Sequence, residues 1–565
     1  MARSDPLDTP VMRQYLDMKS RYPDCILFFR MGDFYEMFLE DAKTAAPIMD
    51  IALTRRQSEV PMAGVPYHSV DTYLARLVGA GLRVAIAEQK QDPSNPKLMQ
   101  REVVRILSPG TLLEEGLLSG GNANYLMALA FDGDTCGIAL ADISTGDFFC
   151  YESKVSESSD GMGPADFIAR YQPGEILIAS NQSNQMPFLR DEMRRRIRPL
   201  ESYKASPSEG IRQIEARFGA KIEGLGFRKQ SVAAGAVSLI LHYVFESFPE
   251  RPPYLNAPVL KAPEAESLIL DEKTIRNLEL VANPNSGSTL LSVIDKTHSA
   301  PGKRALRNRL LSPFRSIELI YEHQLALTEL IESGKIQEIQ SELDRVSDLE
   351  RTISRMTSGK TAPRDFRNLI QTMDAARTLQ GTIANLPRTL LVAKVEVEAE
   401  LLKLCAWMDQ NLQEELPALF GNGPLLKDGV DANLDEARKA RKEGAQWILD
   451  LETSERKRTG LNLLKIKYNR VSGYFLELPK SQASQAPEDY ERKQTLVNAE
   501  RFTFEPLKEL ERKILSADET IATIESEFLD KITADILKHS NAVRSAMNQL
   551  GALDVCCALA SVAQK

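Results

Sequence analysis

An aromatic ring and a carboxylate two residues apart, just beyond a turn, are the chemistry this chain first offers. In Arg30-Met31-Gly32-Asp33-Phe34-Tyr35-Glu36, Gly32-Asp33 makes a turn after an apolar run, and Phe34 opens the next element. An exposed aromatic in such a place can act as a wedge that unstacks a base step from the minor groove and kinks a duplex. Glu36 points along a similar direction if the stretch is extended. Phosphate repels a carboxylate, so Glu36 beside a nucleic acid needs a base-edge hydrogen bond. The competing reading puts Phe34, Met37, Phe38, Ala42 and Ala45 on the buried stripe of an amphipathic helix over 34–46, with Glu36 on its wet side. Periodicity alone favours that helix.

Other chemistries leave weaker marks. A phosphate-cradling loop reads G-x-x-x-x-G-K-[ST]. The nearest fragment is taken to be Pro301-Gly302-Lys303-Arg304, which lacks the upstream glycine and the hydroxyl. His68, His242, His298, His323 and His539 stand apart, with no G-x-S-x-G elbow. Asp132, Asp134, Asp142 and Asp147 lie in or beside three strand-like runs. Carboxylates on neighbouring strands can bind two magnesium ions for nuclease chemistry, although aspartates at strand ends also form turns. The six cysteines contain no C-x-x-C pair, which argues against structural zinc and for a reducing cytoplasm.

The elements that must position these groups divide the chain. Its 565 residues suggest about three to five domains. The net charge of −9 excludes a uniformly basic coat and leaves only regional basic surfaces. No secretory leader is expected, nor any run approaching the ~18 apolar residues that span a bilayer. The first hundred residues read as α/β: strands near 25–29, 82–87 and 103–107, and a helix over 70–79. Residues 116–124 form a Gly-rich break. A second α/β unit follows, with strands 125–131, 137–143, 147–151 and 175–179 and helices 164–171 and 231–247. Prolines between 249 and 263 punctuate its end. From about 264 the pattern is helical, except that a long charged helix over 434–458 leads into strand-like stretches 465–480 and 490–504. Such a helix reaches about 37 Å, so the β insertion reads as a protrusion on helical arms.

Arg30–Phe38 (RMGDFYEMF), Leu53–Arg56 (LTRR), Pro61–His68 (PMAGVPYH), Val84–Gln89 (VAIAEQ) and Arg105–Thr111 (RILSPGT) together resemble the N-terminal region of the MutS family of mismatch-recognition proteins. Arg458–Leu461, Gly473-Tyr474 and Gln494–Arg501 (QTLVNAER) resemble its clamp. The resemblance implies a multidomain α/β plus α fold. Its parts would be a mixed α/β mismatch-recognition domain (1–115), an RNase H-like connector (116–258), core and lever helices (259–430 and 506–565) and an inserted β clamp with helical arms (431–505). In the family the aromatic of an F-x-E motif stacks beside the mismatched base and the glutamate hydrogen-bonds it. Those roles fall on Phe34 and Glu36. Arg56 and Arg101 are the expected backbone contacts here, with Met62 and Pro66 supporting the wedge. Ordinary surface charge and loop packing is the alternative.

The clamp-like stretch is locally basic: seven Lys and Arg against Glu477 alone between Arg456 and Lys480, a net +6. Lys467, Asn469 and Arg470 on one strand, and Arg492, Lys493 and Asn498 near the other, are the expected phosphate contacts, which position without reading sequence. Edge-strand lysines that block aggregation would look the same. By resemblance, the partners are mismatched double-stranded DNA, a second copy of the chain and a MutL-like repair protein, with no membrane. ATP and magnesium belong to a C-terminal ATPase domain of the full-length family. This chain, stopping at Lys565, is expected to turn over no ATP and to act in the bacterial cytoplasm. The rival functions are the magnesium-dependent nuclease and a helical scaffold for protein partners.

Overall fold

The computed structural model describes residues 9–564 except 57–59, 93–94, 119, 156–161, 187–188, 190, 263–266, 282–286, 470–472 and 496–497. Thr9 caps the first helix, α1 (Pro10–Arg21), by accepting from Met12 N, with Pro10 at the first helical position where its missing N–H costs nothing. Then come β1 (Cys25–Met31), β2 (Phe34–Phe38), α2 (Leu39–Met49), β3 (Thr54–Arg56), β4 (Val60–Pro66), α3 (Val70–Gly79), β5 (Arg83–Asp92) and β6 (Asn95–Leu107). The strands form one sheet in the order β3-β4-β2-β1-β5-β6, antiparallel except for the β1–β5 pair.

Both faces of this sheet are covered, so β1 reads as an unbroken apolar run. Phe28, Tyr35 and Met37 pack with α2 and α3 on one side. Leu27, Phe29 and Phe38 pack with Met12, Tyr15 and Met18 of α1 on the other. Buried Asp41 ties the layers together, accepting from Tyr15 Oη (2.8 Å) and Leu27 N (3.1 Å) and pairing with Lys19 (2.7 Å).

The expected helix over 34–46 is wrong in its first half. Phe34–Phe38 is strand, paired with β1 on one side and β4 on the other, and the helix begins only at Leu39. Aromatics at positions 34 and 38 fit both periods, and ladder hydrogen bonds on two sides decide for the strand. Leu39, with φ +55°, makes the sharp turn from strand into helix.

The second module contains β7 (Tyr125–Asp132), β8 (Thr135–Asp142), β9 (Asp147–Lys154), α4 (Pro164–Tyr171), β10 (Glu175–Ala179), β11 (Ile197–Leu200) and β12 (Val259–Leu260). Its sheet order is β11-β10-β7-β8-β9-β12. The apolar helix Val232–Ser247 packs on one face, and Met162, Phe167 and Ile168 at and before α4 cover the other.

Helices follow. The helix Ser540–Ala563 packs against Ala300–Leu311, Ile317–Ser333 and Leu349–Thr357. It corrects the expectation that no run is apolar enough to span a bilayer, since by length and hydropathy it is. Its residues are mostly buried in the protein, and it carries the buried, hydrogen-bonded Arg544 and Asp554, so it serves as a core helix. Compact contacts divide the chain into Met1–Thr361 with Gln371–Leu402 and His539–Lys565, and a second unit of Ala362–Ile370 with Lys403–Lys538. In that second unit the helices Ala432–Thr459 and Glu505–Lys538 pack together and carry a sheet of β13 (Lys465–Asn469), β14 (Gly473–Pro479), β15 (Glu491–Thr495) and β16 (Ala499–Thr503), ordered β13-β14-β16-β15.

Candidate nucleic-acid interface

The Phe34 site is built by a hairpin. Met31 pairs with Phe34 across the two-residue link Gly32-Asp33, and Gly32 has φ +62°, a left-handed conformation that suits glycine in so tight a turn. Strand alternation then puts Met31, Phe34 and Glu36 on the α1 face of the sheet. Phe38, on the same face, is fully buried under Tyr15 at 5.0 Å, whereas Phe34 is 48% exposed. Across the next ladder Phe34 faces Pro66, Glu36 faces Gly64 and Phe38 faces Met62. Thr54 and Arg56 of β3 pair with Met62 and Val60, which brings Arg56 to the same face.

The carboxylate is framed by cations. Arg56 Nη1 stands 3.5 Å from Glu36 Oε2 and donates to Met31 Sδ at 3.4 Å, with its guanidinium 5.5 Å from the Phe38 ring centroid. Arg101 donates from Nε to the Arg30 carbonyl (2.7 Å) and from Nη1 to Gln14 (3.2 Å), and lies over Phe29. Burial pushes the Glu36 carboxyl above its ordinary range, against the pull of Arg56 and Arg101. The site is thus an exposed ring beside a half-buried acid whose charged form burial disfavours.

Six of the expected residues, Phe34, Glu36, Arg56, Met62, Pro66 and Arg101, therefore belong to one sheet face. Both arginines are engaged with the protein and frame Glu36 as much as they offer charge to solvent. Gly64 was missed. A Cβ there would come 3.7 Å from Glu36 Cγ, so its absence keeps the floor beside the carboxylate open. The period-two spacing Met62, Gly64, Pro66 was the available signal.

In the second unit the sheet disperses the expected basic residues. β13 and β15 are its two edges. Lys465, Lys467 and Asn469 alternate onto one face together with Glu477 and Arg501, while Arg492 sits on the other face beside Glu500 (2.9 Å) and Phe502. Asn469 pairs with Gly473 at one end of the sheet. Asn498, exposed, lies at the other end beside Pro479, about 20 Å away along the strands. Lys493 is exposed at an irregularity of β15, and Arg470 lies outside the described residues.

Much of the apparent +6 is already answered locally. Arg456 pairs with Glu452 (2.6 Å), Arg458 with Glu455 (2.7 Å) and Asp489 (2.9 Å), and Lys467 with Glu477 (2.7 Å). Glu477 was already in that count, but Glu452, Glu455 and Asp489 lie outside the window, and helix spacing and tertiary contact bring them back.

The rival chemistries lose their geometry. Asp132 and Asp134 sit at one end of the β7–β8 hairpin and Asp142 and Asp147 at the other, roughly 24 Å apart. Asp142 accepts from Asn124 N, Ser144 N and the Ser144 hydroxyl, the work of a buried turn former. Among the described residues no group of three or more His, Cys, Asp or Glu could hold a metal ion. A closer look-alike to the phosphate loop than Pro301–Arg304 is Gly359-Lys360-Thr361, with Ser354 where the first glycine belongs. It follows a helix rather than a strand, and Lys360 is paired with Glu114 at 2.7 Å.

These features define a multidomain α/β protein with a helical core, whose first sheet presents an aromatic–carboxylate pair to solvent. Residues 9–116 match the family model described as MutS domain I, 124–247 match MutS domain II, and 273–560 match MutS domain III. The chain belongs to the MutS family. It is similar to proteins named "DNA mismatch repair protein MutS": 39% identical over 558 residues to that of Leptospira interrogans (strain Fiocruz L1-130), covering 98% of this chain and 62% of the relative. The Methanothrix thermoacetophila protein is 36% identical over 560 residues, with 97% and 63% covered. That of Acaryochloris marina is 35% identical over 577 residues, with 98% and 65% covered. The chain thus spans somewhat under two thirds of the length of these relatives.

Proposed function

We propose that this chain binds mismatched or looped-out bases in double-stranded DNA and serves in mismatch repair, with Phe34 as the wedge and Glu36 as the hydrogen-bonding partner of the displaced base. The observation that carries the reading is the pairing of an exposed ring with a half-buried carboxyl on one sheet face, in a chain of the MutS family. A mismatch stacks poorly and costs less to kink, so an inserted ring finds it through deformability rather than sequence. Burial disfavours the charged form of this carboxyl, which lessens the cost of bringing it beside phosphate and favours a hydrogen bond to a base.

Met62 and Pro66 support the wedge from β4, and Arg56 and Arg101 orient Glu36 while adding positive charge beside the backbone. Phosphate contacts in the clamp range come from Lys467, Asn469, Arg492 and Lys493 of the sheet, from Asn498 beside it and from Arg470. In this reading the parts keep their expected ranges: mismatch recognition 1–115, connector 116–258, core and lever 259–430 and 506–565, clamp 431–505. The strand order β9-β8-β7-β10-β11, three antiparallel strands followed by two parallel ones, supports the RNase H-like label for the connector. Assembly with a second copy and with a MutL-like partner belongs to the same proposal, as does the dependence of ATP turnover on sequence that these 565 residues do not contain.

The test is a competition between matched and G·T-containing duplexes for the purified chain at two salt concentrations. Preference for the mismatch at both concentrations supports the reading. Equal affinity for the two duplexes rejects it.

A further inference from the structure

The segment Arg194-Arg195-Arg196-Ile197-Arg198 puts four arginines in five residues, and nothing in the mismatch reading uses them. Three of them, Arg195, Arg196 and Arg198, line a cleft of about 450 Å³ between the N-terminal module and the second module. We propose that this cleft binds a nucleotide-class ligand, a planar base-bearing group carrying one or two phosphates.

Charge points to the phosphate. Arg195 is exposed, and Arg196 donates only to the Pro173 carbonyl (2.9 Å); among the described residues neither has a carboxylate partner. Arg198 lies between Glu175 (3.5 Å) and Asp24 (3.7 Å). Glu175 is committed elsewhere, accepting from Tyr243 Oη (2.6 Å), Ser108 Oγ (2.5 Å) and Gly110 N. Among the described residues the rim therefore carries two guanidiniums with no carboxylate partner, whose planar forks match phosphate oxygens two at a time.

Shape and polarity point to the rest of the ligand. The lining is mixed, and beside the arginines Ala75, Val78, Pro109, Leu112 and Leu117 supply its apolar part, against which a base can rest. The last turn of α3 also lines the cleft, through Gly79. A helix C-terminus carries partial negative charge. It repels phosphate toward the arginines, while its carbonyls at Arg76, Leu77 and Val78 already accept from Ala80, Leu82 and Gly81 N. The volume falls within the 300–1,000 Å³ typical of small-ligand sites, and such sites favour domain junctions. An extended nucleic-acid strand would want an open groove instead. A ligand held here touches both modules and stabilises their packing.

The site stands apart from mismatch recognition, so either reading can fail without the other. The experiment titrates ADP, adenosine and pyrophosphate into the purified chain by calorimetry and thermal unfolding. The 565 residues contain no G-x-x-x-x-G-K-[ST] motif to confuse the result. ADP should bind with a measurable rise in Tm, and adenosine and pyrophosphate each at least ten-fold more weakly. Arg195→Gln, at an exposed position, should weaken ADP about ten-fold and Arg195→Glu with Arg196→Glu should abolish binding. Ala80→Trp, which fills the cleft without altering charge, should block it too. No binding of ADP, or binding indifferent to these substitutions, overturns the proposal. So does a loss of duplex affinity in the double variant with ADP still unbound by the parent chain, which would mark the arginines as a DNA-phosphate surface.

Discussion

Glu36 faces Gly64 directly across the β2–β4 ladder, so the carboxylate has a neighbour with no side chain on the side away from Phe29. That single pairing leaves room for a base edge to approach an acid that the rest of the module half-buries. The expectations that follow come from such placements.

Phe34→Ala should cost folding only about 1 kcal/mol, because about half of the residue is already in solvent. It should reduce the preference for mismatched over matched duplex at least ten-fold while weak general binding persists. Fluorescence anisotropy with the two duplexes checks it, and equal discrimination by variant and parent would remove the wedge.

Glu36 should make mismatch affinity pH-dependent. Its carboxyl is raised by burial, so lowering the pH protonates it, removes its repulsion of phosphate and supplies a donor. Affinity for the mismatched duplex should rise as pH is lowered, beyond the rise seen for matched duplex. In Glu36→Gln the excess should vanish. A parent profile that is the same for both duplexes would contradict this.

Lys467 and Glu477 separate charge contact from recognition. Lys467→Ala should weaken matched and mismatched duplex alike and lower the log–log salt slope by about 0.9 if it neutralises one phosphate. Glu477→Ala removes the acid that holds Lys467 at 2.7 Å and Arg501 at 3.6 Å, and should strengthen binding of both duplexes. Opposite signs in the two variants, read at two salt concentrations, are the diagnostic; unchanged affinity in both would retire this face of the sheet.

Buried Glu350 predicts how stability responds to pH. Burial pushes its carboxyl up to about 7, despite the Arg304 guanidinium, which is shared with Asp348. A raised carboxyl stabilises the fold fully below its unfolded pKa, and that contribution is lost as pH rises through the folded value. Unfolding free energy should therefore fall by about 1–3 kcal/mol between mildly acidic and mildly alkaline buffer, and Glu350→Gln should flatten that part of the curve. Denaturant melts at several pH values measure it.

Local sequence was enough for the elements whose cores are simple. The runs at 25–29, 125–131 and 175–179 carry consecutive apolar residues because both sheet faces are covered, and the charged helix near 434–458 announces itself by length and composition. Phe34 and Glu36 stand out by residue type and by their match to the F-x-E motif, whereas Arg56, Met62, Pro66 and Arg101 were candidates of the same module that strand pairing brings to one sheet face. Local periodicity could not choose between helix and strand at 34–38, where aromatics satisfy both. The choice came from hydrogen-bonding partners more than twenty residues away in β4.

Charge was the least legible property. A linear window summed Arg456 and Arg458 as free cations, whereas the helix sets Glu452 and Glu455, outside that window, beside them. The two asparagines expected beside phosphate ended at opposite ends of one sheet for the same reason: strand order is settled by which apolar faces can be buried together, and that is a property of the folded chain. Residue types determined what chemistry the protein could attempt. Long-range pairing alone decided which of those groups share a surface, since contact between distant segments is bought with burial that no local stretch can supply.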